Sequence, residues 1–87
     1  MEKMTQQINK VDVVIGSLNE IQEDNTVPRN VRTQIQSIIN TLKAETELQI
    51  MVNKALNELG DIANDVNLQS YTRTQIWNIM SVLEKLH

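Results

Sequence analysis

Apolar residues recur along the chain at alternating intervals of four and three positions, a spacing that places them on one side of a helix. The first stripe runs through Met4, Ile8, Val11, Ile15 and Leu18. It predicts a helix that ends near Glu23, with Ile21 as a slightly displaced member of the stripe. Gly16 lies inside this helix, where glycine is unfavourable, and we interpret it as a point of close approach to another helix.

A mainly polar segment at residues 24–28 interrupts the pattern and ends in Pro28. Proline disfavours helical geometry in the residue before it and is accepted in the first turn of a helix. The segment therefore predicts a turn followed by a second helix, with Thr26 as the N-cap. The second stripe consists of Val31, Ile35, Ile38 and Leu42.

The sequence from Thr46 to Gln49 has the form of a capping box, in which the two end side chains bond to backbone N–H groups at the start of a helix. A third helix is predicted from there, with the stripe Leu48, Val52, Ala55, Leu59, Ile62 and Val66. A second turn follows at residues 65–68, where Asn67 is predicted to cap a fourth helix. The fourth stripe consists of Thr72, Ile76, Ile79, Leu83 and Leu86.

Residues 15–42 align without gaps with residues 56–83, and nine of the 28 pairs are identical. The chain is therefore predicted to be a single domain, residues 1–87, made of two similar helical hairpins at about 3–43 and 46–86. Because each hairpin must cover its apolar seam with the other, the pattern favours an all-α, up-and-down four-helix bundle. The alternative is a short pair of HEAT-like helical repeats packed side by side.

Composition narrows the class of protein further. Of the 87 residues 40% are apolar, and the core must be aliphatic because the chain has one Trp, one Tyr and no Phe. Cysteine is absent, which excludes disulfides, thiolate metal sites and thiol catalysis. No apolar run approaches the length of a membrane span, so we expect a cytoplasmic protein. The net charge of −3 provides no broad positive field, which makes nucleic acid an unlikely partner.

Two segments, residues 23–32 and residues 71–79, resemble the small archaeal proteins grouped as uncharacterised protein family 0147. The first reads Glu-Asp-Asn-Thr-Val-Pro-Arg-Asn-Val-Arg and the second reads Tyr-Thr-Arg-Thr-Gln-Ile-Trp-Asn-Ile. The resemblance spans most of the chain and implies a compact fold of four helices. It implies no activity, substrate or cofactor. Family members often carry a proline in the second turn, where this chain has Gln69, so we expect that turn to be less rigid here.

Candidate catalytic residues are few, because the one histidine, His87, stands at the end of the sequence. No serine, threonine or lysine has a histidine partner in a recognisable motif, and the Glu-x-x-His pair of bundle metal sites does not occur. An alternative is a divalent-cation site formed by acids near the turns, namely Glu20, Glu23, Asp24, Asp61 and Asp65. We favour solvated or capping roles for these acids and predict no catalytic, cofactor-binding or metal-binding residue.

Arg32 and Arg73 occupy equivalent first turns of the second and fourth helices. Their guanidinium groups can bridge to Asp24 and Asp65, which are also equivalent, and we predict a pair of contacts that brace the two turns. A binding role together with Arg29 is the alternative. The predicted structural turn and cap residues are Asp24, Thr26, Pro28, Asp65 and Asn67.

Trp77 is predicted on a flank of the fourth helix, where it either covers the edge of the bundle or forms an exposed anchor for a partner. Tyr71 is expected to share its patch. Eight apolar residues outside the stripes either widen the core face or form a surface for self-association. They are Val13, Val14, Ile39, Ile50, Met51, Leu56, Met80 and Val82.

The favoured function is a non-enzymatic, small helical protein-interaction module, with a homodimer as one form. Its predicted interaction residues are Trp77, Tyr71, Arg29, Arg32 and Arg73. One alternative is a nucleic-acid or ribonucleoprotein accessory protein, and another is a carboxylate-based metal-binding protein or enzyme. No small-molecule substrate is evident. A site is expected where the two copies differ, at Pro28 against Gln69, Arg29 against Ser70, Asn30 against Tyr71 and Gln36 against Trp77.

Overall fold

The computed structural model describes residues 2–44 and 47–86, with side chains from Lys10 onward. Four helices follow one another, and no strand occurs among these residues. They are α1 (Glu2–Glu23), α2 (Arg29–Lys43), α3 (Leu48–Ala63) and α4 (Ser70–Glu84). The all-α prediction is confirmed, and α1 ends at the predicted residue.

Each helix contacts the next along the chain, and α1 also contacts α4. The diagonal pairs, α1 with α3 and α2 with α4, have no Cα atoms within 8 Å of each other among the described residues. This closed ring confirms the up-and-down four-helix bundle. The HEAT-like alternative is wrong, because stacked repeats would bring α1 against α3 and α2 against α4. The molecule measures 41 × 18 × 18 Å, a cross-section of two helices by two.

An aliphatic core runs along the centre of this ring and contains most of the predicted stripe residues, among them Leu18, Ile35, Leu59 and Ile76. Val66 is the exception, because α3 ends at Ala63 and leaves Val66 in the turn, 89% exposed. Val27, Ala63 and Leu68 are buried near the turns instead. The predicted stripe residues Met4 and Ile8 have side chains outside the described part of the chain.

The apolar residues outside the stripes mostly widen the core face. Three are buried, namely Val14, Ile39 and Met51, and three are half-buried against the core, namely Leu56, Met80 and Val82. Val13 and Ile50 are exposed. These two lie on α1 and α3, which are not neighbours in the bundle, so Val13 and Ile50 do not form a shared apolar surface.

The predicted N-caps are wrong by two residues. Pro28 is the N-cap of α2 and Gln69 is that of α4, where Thr26 and Asn67 were predicted. The backbone N–H groups of Thr26 and Asn67 bond to the carboxylates two residues earlier, so both residues belong to the turns. Glu47 is the N-cap of α3. Thr46, the first residue of the predicted capping box, lies outside the described residues.

The interpretation of Gly16 as a close approach between helices is also wrong. Gly16 is exposed, and a Cβ atom added to it would meet no heavy atom within 4 Å. Gly60 of α3 is half-buried, and a Cβ atom there would lie 3.9 Å from Met80 Cε, an ordinary van der Waals contact. Neither glycine is required by its surroundings.

Candidate interaction surfaces

The two acidic turns lie at the same end of the bundle, because α1 and α3 run in one direction and α2 and α4 in the other. A hydrogen bond joins them, in which Asn30 Nδ2 donates to Asp65 Oδ2 at 3.4 Å. This end of the molecule therefore brings together most of the polar residues that the sequence marked as turn or cap residues.

Each turn is closed by its own aspartate. Asp24 Oδ1 accepts from the backbone N–H of Thr26 at 2.9 Å and from the Thr26 hydroxyl at 2.7 Å. In the second turn Asp65 Oδ1 accepts from the backbone N–H of Asn67 at 2.9 Å. The hydroxyl of Thr26, and then its N–H, holds the pKa of Asp24 below its usual value, because both bonds favour the carboxylate.

Arg73 spans the second turn, but its partners are main-chain carbonyls. Its Nε donates to the carbonyl of Ala63 at 2.8 Å, and its Nη2 donates to the carbonyls of Asp65 at 2.9 Å and Leu68 at 3.4 Å. The acceptor at Asp65 is thus the backbone oxygen, where the sequence predicted the carboxylate. A cation at the end of α3 also complements the negative end of the helix dipole.

Arg32 has no such role. Its Nε is buried and has no hydrogen-bond partner among the described residues. The predicted symmetric pair of bracing contacts is therefore wrong for the first turn. Of the two equivalent arginines, only Arg73 ties a helix end to its turn, while the guanidinium of Arg32 faces a shallow depression between α1 and α2.

That depression is lined by polar and basic side chains, namely Gln22, Arg29, Arg32, Thr33, Gln36, Ser37 and Asn40. Gln22 Nε2 donates to Gln36 Oε1 at 2.6 Å, and Gln36 Nε2 donates to Asn40 Oδ1 at 3.0 Å. Three side-chain amides of the lining are thus joined by hydrogen bonds. No acid and no apolar residue belongs to this lining. Arg73 lies on α4, so the predicted group of Arg29, Arg32 and Arg73 is divided between two surfaces.

A second depression lies between α1 and α4. Its lining combines exposed Val13 with half-buried and polar residues of both helices, including Ser17, Glu20, Gln75 and Asn78. Tyr71 is 69% exposed and lies one turn before Gln75, on the flank of α4 that faces α1.

Trp77 is 55% exposed, a value that fits both an indole lying over the edge of the bundle and an anchor for a partner. It lies on the other flank of α4, because six residues at about 100° each turn it about 120° away from Tyr71. Arg73 and Met80 lie on the same flank, which faces α3. The prediction that Tyr71 and Trp77 share one patch is therefore wrong.

The described residues contain no group of three or more histidine, aspartate or glutamate side chains placed to hold a metal ion. His87, the one histidine, lies outside the described residues. No described helix combines the length and the apolar character that crossing a membrane requires.

The fold defines a small all-α protein of the four-helix-bundle class. The sequence matches a family model over residues 1–86, that of the uncharacterised protein family UPF0147. This chain belongs to that family, as the resemblance of its turn segments indicated.

Relatives and solved structures agree with this assignment. UPF0147 proteins of Methanosarcina acetivorans and Archaeoglobus fulgidus are 41% and 38% identical, covering 79% and 87% of this chain and 72% and 87% of their own lengths. A crystal structure of a UPF0147 protein from Thermoplasma acidophilum is 33% identical with a TM-score of 0.86, over 93% of this chain and 96% of that one. A crystal structure of a protein of unknown function is 42% identical with a TM-score of 0.84, over 88% and 89%.

Proposed function

We propose that this protein is a non-enzymatic helical interaction module of the cytoplasm, and that Trp77 lies at the centre of its contact with another protein. The observation that carries the proposal is the 55% exposure of the one tryptophan in a chain whose other large apolar residues mostly fill the core. Tryptophan contributes large contact areas and is enriched among the residues that dominate binding energy.

The surroundings of Trp77 support a protein as the partner. Arg73 and half-buried Met80 lie on the same flank of α4, so an apolar surface is combined with a cation whose position is fixed by carbonyls. Aromatic residues, methionine and arginine are the side chains enriched in protein interfaces. This flank faces α3, since a Cβ atom added at Gly60 of α3 would lie 3.9 Å from Met80 Cε.

A second copy of the chain is the first partner to test. Sedimentation velocity over a wide concentration range should show a dimer for the wild type and a monomer for Trp77→Ala. Tyr71→Ala is the matched control, because it removes another exposed aromatic residue, 69% against 55%, from the other flank of the same helix. Since Trp77 is the only tryptophan, its fluorescence should shift to shorter wavelength as the dimer forms.

If the wild type is a monomer throughout, the partner must be a different protein. A photo-crosslinking amino acid at position 77 should then give a discrete product in native lysate that excess wild-type protein suppresses and excess Trp77→Ala does not. The same photo-crosslinking amino acid at position 71 should give no such product. Equal labelling from both positions, or no product from position 77, would overturn the proposal.

A further inference from the structure

We propose that the exposed flank of α2 beside α1 binds the sugar–phosphate backbone of a nucleic acid, through Arg29, Arg32 and Lys43. This surface is separate from the one centred on Trp77. The overall charge of −3 argues against such a site, but it hides an uneven distribution, because every ionisable residue of α2 is basic.

The three bases lie along one flank of the helix. At about 100° per residue, Arg29, Arg32 and Lys43 fall within an arc of about 60°. The hydrogen bond from Gln22 to Gln36 identifies this flank as the one that faces α1. From Arg29 to Lys43 the stripe is about 21 Å long, which at about 3.4 Å per phosphate is the span of roughly six phosphates of one strand.

The side chains between the bases suit the same ligand. The depression contains three amides and two hydroxyls besides Arg29 and Arg32, and these are the groups that contact phosphate and sugar in protein–nucleic acid complexes. A protein partner would need a central apolar or aromatic contact, and the depression has none. The absence of an aromatic residue from its lining also removes base stacking, so the site is expected to bind without sequence preference.

The arginines have donors available for such a ligand. Among the described residues, no protein group accepts a hydrogen bond from the buried Nε of Arg32. Arg73 differs, because its guanidinium is already occupied by three carbonyls. Because that Nε is closed to solvent, a phosphate in the depression would contact the terminal Nη groups of Arg32, for which it is a charged acceptor.

Fluorescence anisotropy with labelled 20-nucleotide RNA and DNA, single-stranded and duplex, tests the proposal. The wild type should bind at about 50 mM salt, and its affinity should fall linearly with salt on a logarithmic scale. Arg29→Gln combined with Lys43→Gln removes two exposed charges without touching the core. At about 50 mM salt it should weaken binding by about tenfold for each lost contact and flatten the salt dependence accordingly.

Lys54→Gln combined with Lys85→Gln is the matched control, since it makes the same change in net charge at two exposed positions away from α2. It should leave the affinity and the salt dependence almost unchanged. Equal weakening by both double variants, or no binding by the wild type at about 50 mM salt, would overturn the proposal. Equally tight binding to polyglutamate would overturn it too, because an acidic polypeptide would then be an equivalent ligand. Trp77→Ala should bind nucleic acid like the wild type, which separates this site from the proposed protein contact.

Discussion

Arg32 and Arg73 stand at equivalent places in the two hairpins, yet their guanidinium groups have different surroundings. Arg73 lies across the end of α3 and donates to three carbonyls, whereas the Nε of Arg32 has no partner among the described residues. The equivalent residues near the ends of α1 and α3 differ in the size of their side chains. Ala63, whose carbonyl receives Arg73, corresponds to Gln22, whose side chain instead reaches Gln36.

This contrast teaches that the same residue type at aligned positions of two hairpins does not give the two residues the same role. The shared backbone pattern is present in both turns, since the N–H groups of Val27 and Leu68 donate to the carbonyls of Asp24 and Asp65 at 3.1 Å. One arginine then consolidates its turn, and the other leaves its charge on the surface. We therefore expect Arg73 to contribute more to the stability of its hairpin than Arg32 does to the stability of the other.

The largest effects are expected in the core, where the two hairpins should not differ. Ile35 and Ile76 are equivalent and both fully buried. Each of Ile35→Ala and Ile76→Ala should lower the free energy of unfolding by about 2–5 kcal/mol, because a cavity remains where the side chain was. Urea denaturation measures both. A loss below about 1 kcal/mol for either variant would show that its half of the core is not packed as described.

The two arginines should differ most clearly when each is replaced by methionine, which keeps the length of the side chain. Arg73→Met should cost about 2 kcal/mol, because charged hydrogen bonds to three partly buried carbonyls are lost. Arg32→Met should be neutral or slightly stabilising, since it removes a buried donor without a partner. Urea denaturation of both variants gives the comparison. Equal losses would contradict the division of roles between the hairpins.

The periodicity of the sequence correctly predicted which residues are buried. It did not predict where the helices begin, because the position of an N-cap depends on a single local hydrogen bond. Burial of Leu18, Ile35 and Ile76 follows from their spacing, because only one side of each helix can face the others. The N-cap at Pro28 did not follow, because Asp24 and Thr26 are both good caps and the choice depends on which backbone N–H the carboxylate receives. The sequence does not determine the residue at which a helix ends either, so Val66 was wrongly predicted to be part of the core.

The surfaces were predicted less well than the fold. The sequence left two roles open for Trp77, and its exposure of 55% fits both, because a residue at the edge of a helical stripe lies partly on the core and partly in solvent. The sequence analysis gave Arg29 and Arg32 a binding role as an alternative and left out Lys43, although the exposed positions of α2 are all polar and its charged residues are all basic. Arg29, Arg32 and Arg73 looked like one group in the sequence, and only the packing of α2 and α4 separates Arg73 from the others.

The glycines of α1 and α3 extend the comparison to smaller effects. Gly16→Ala and Gly60→Ala should each raise the free energy of unfolding by about 0.5–1 kcal/mol, because alanine loses less backbone entropy in a helix. At Gly60 the new methyl group makes an ordinary contact with Met80, and at Gly16 it meets only solvent. Thermal and urea denaturation check both. Destabilisation by Gly16→Ala would restore the close helix approach that the sequence suggested.

The smallest expected effect concerns Thr26, which distinguishes the first turn from the second. Thr26→Asn places in the first turn the residue found at the equivalent position of the second, and removes the hydroxyl that donates to Asp24. The pKa of Asp24 should therefore rise toward its ordinary value of 3.8. Titration of the side-chain carboxyl carbon by NMR measures the change, and an unchanged pKa would show that the backbone N–H alone holds the carboxylate.

The hydroxyl of Thr26 should also affect how the stability of the protein depends on pH. Because folding lowers the pKa of Asp24, its ionised form stabilises the protein above the unfolded value of about 3.8, and this stabilisation is lost as the pH falls through the folded value. Wild type should thus exceed Thr26→Asn in stability at pH 6, and the difference should shrink below about pH 4. A difference that persists under acid conditions would assign the role of Thr26 to the shape of the turn, and the two turns would then differ in geometry more than in charge.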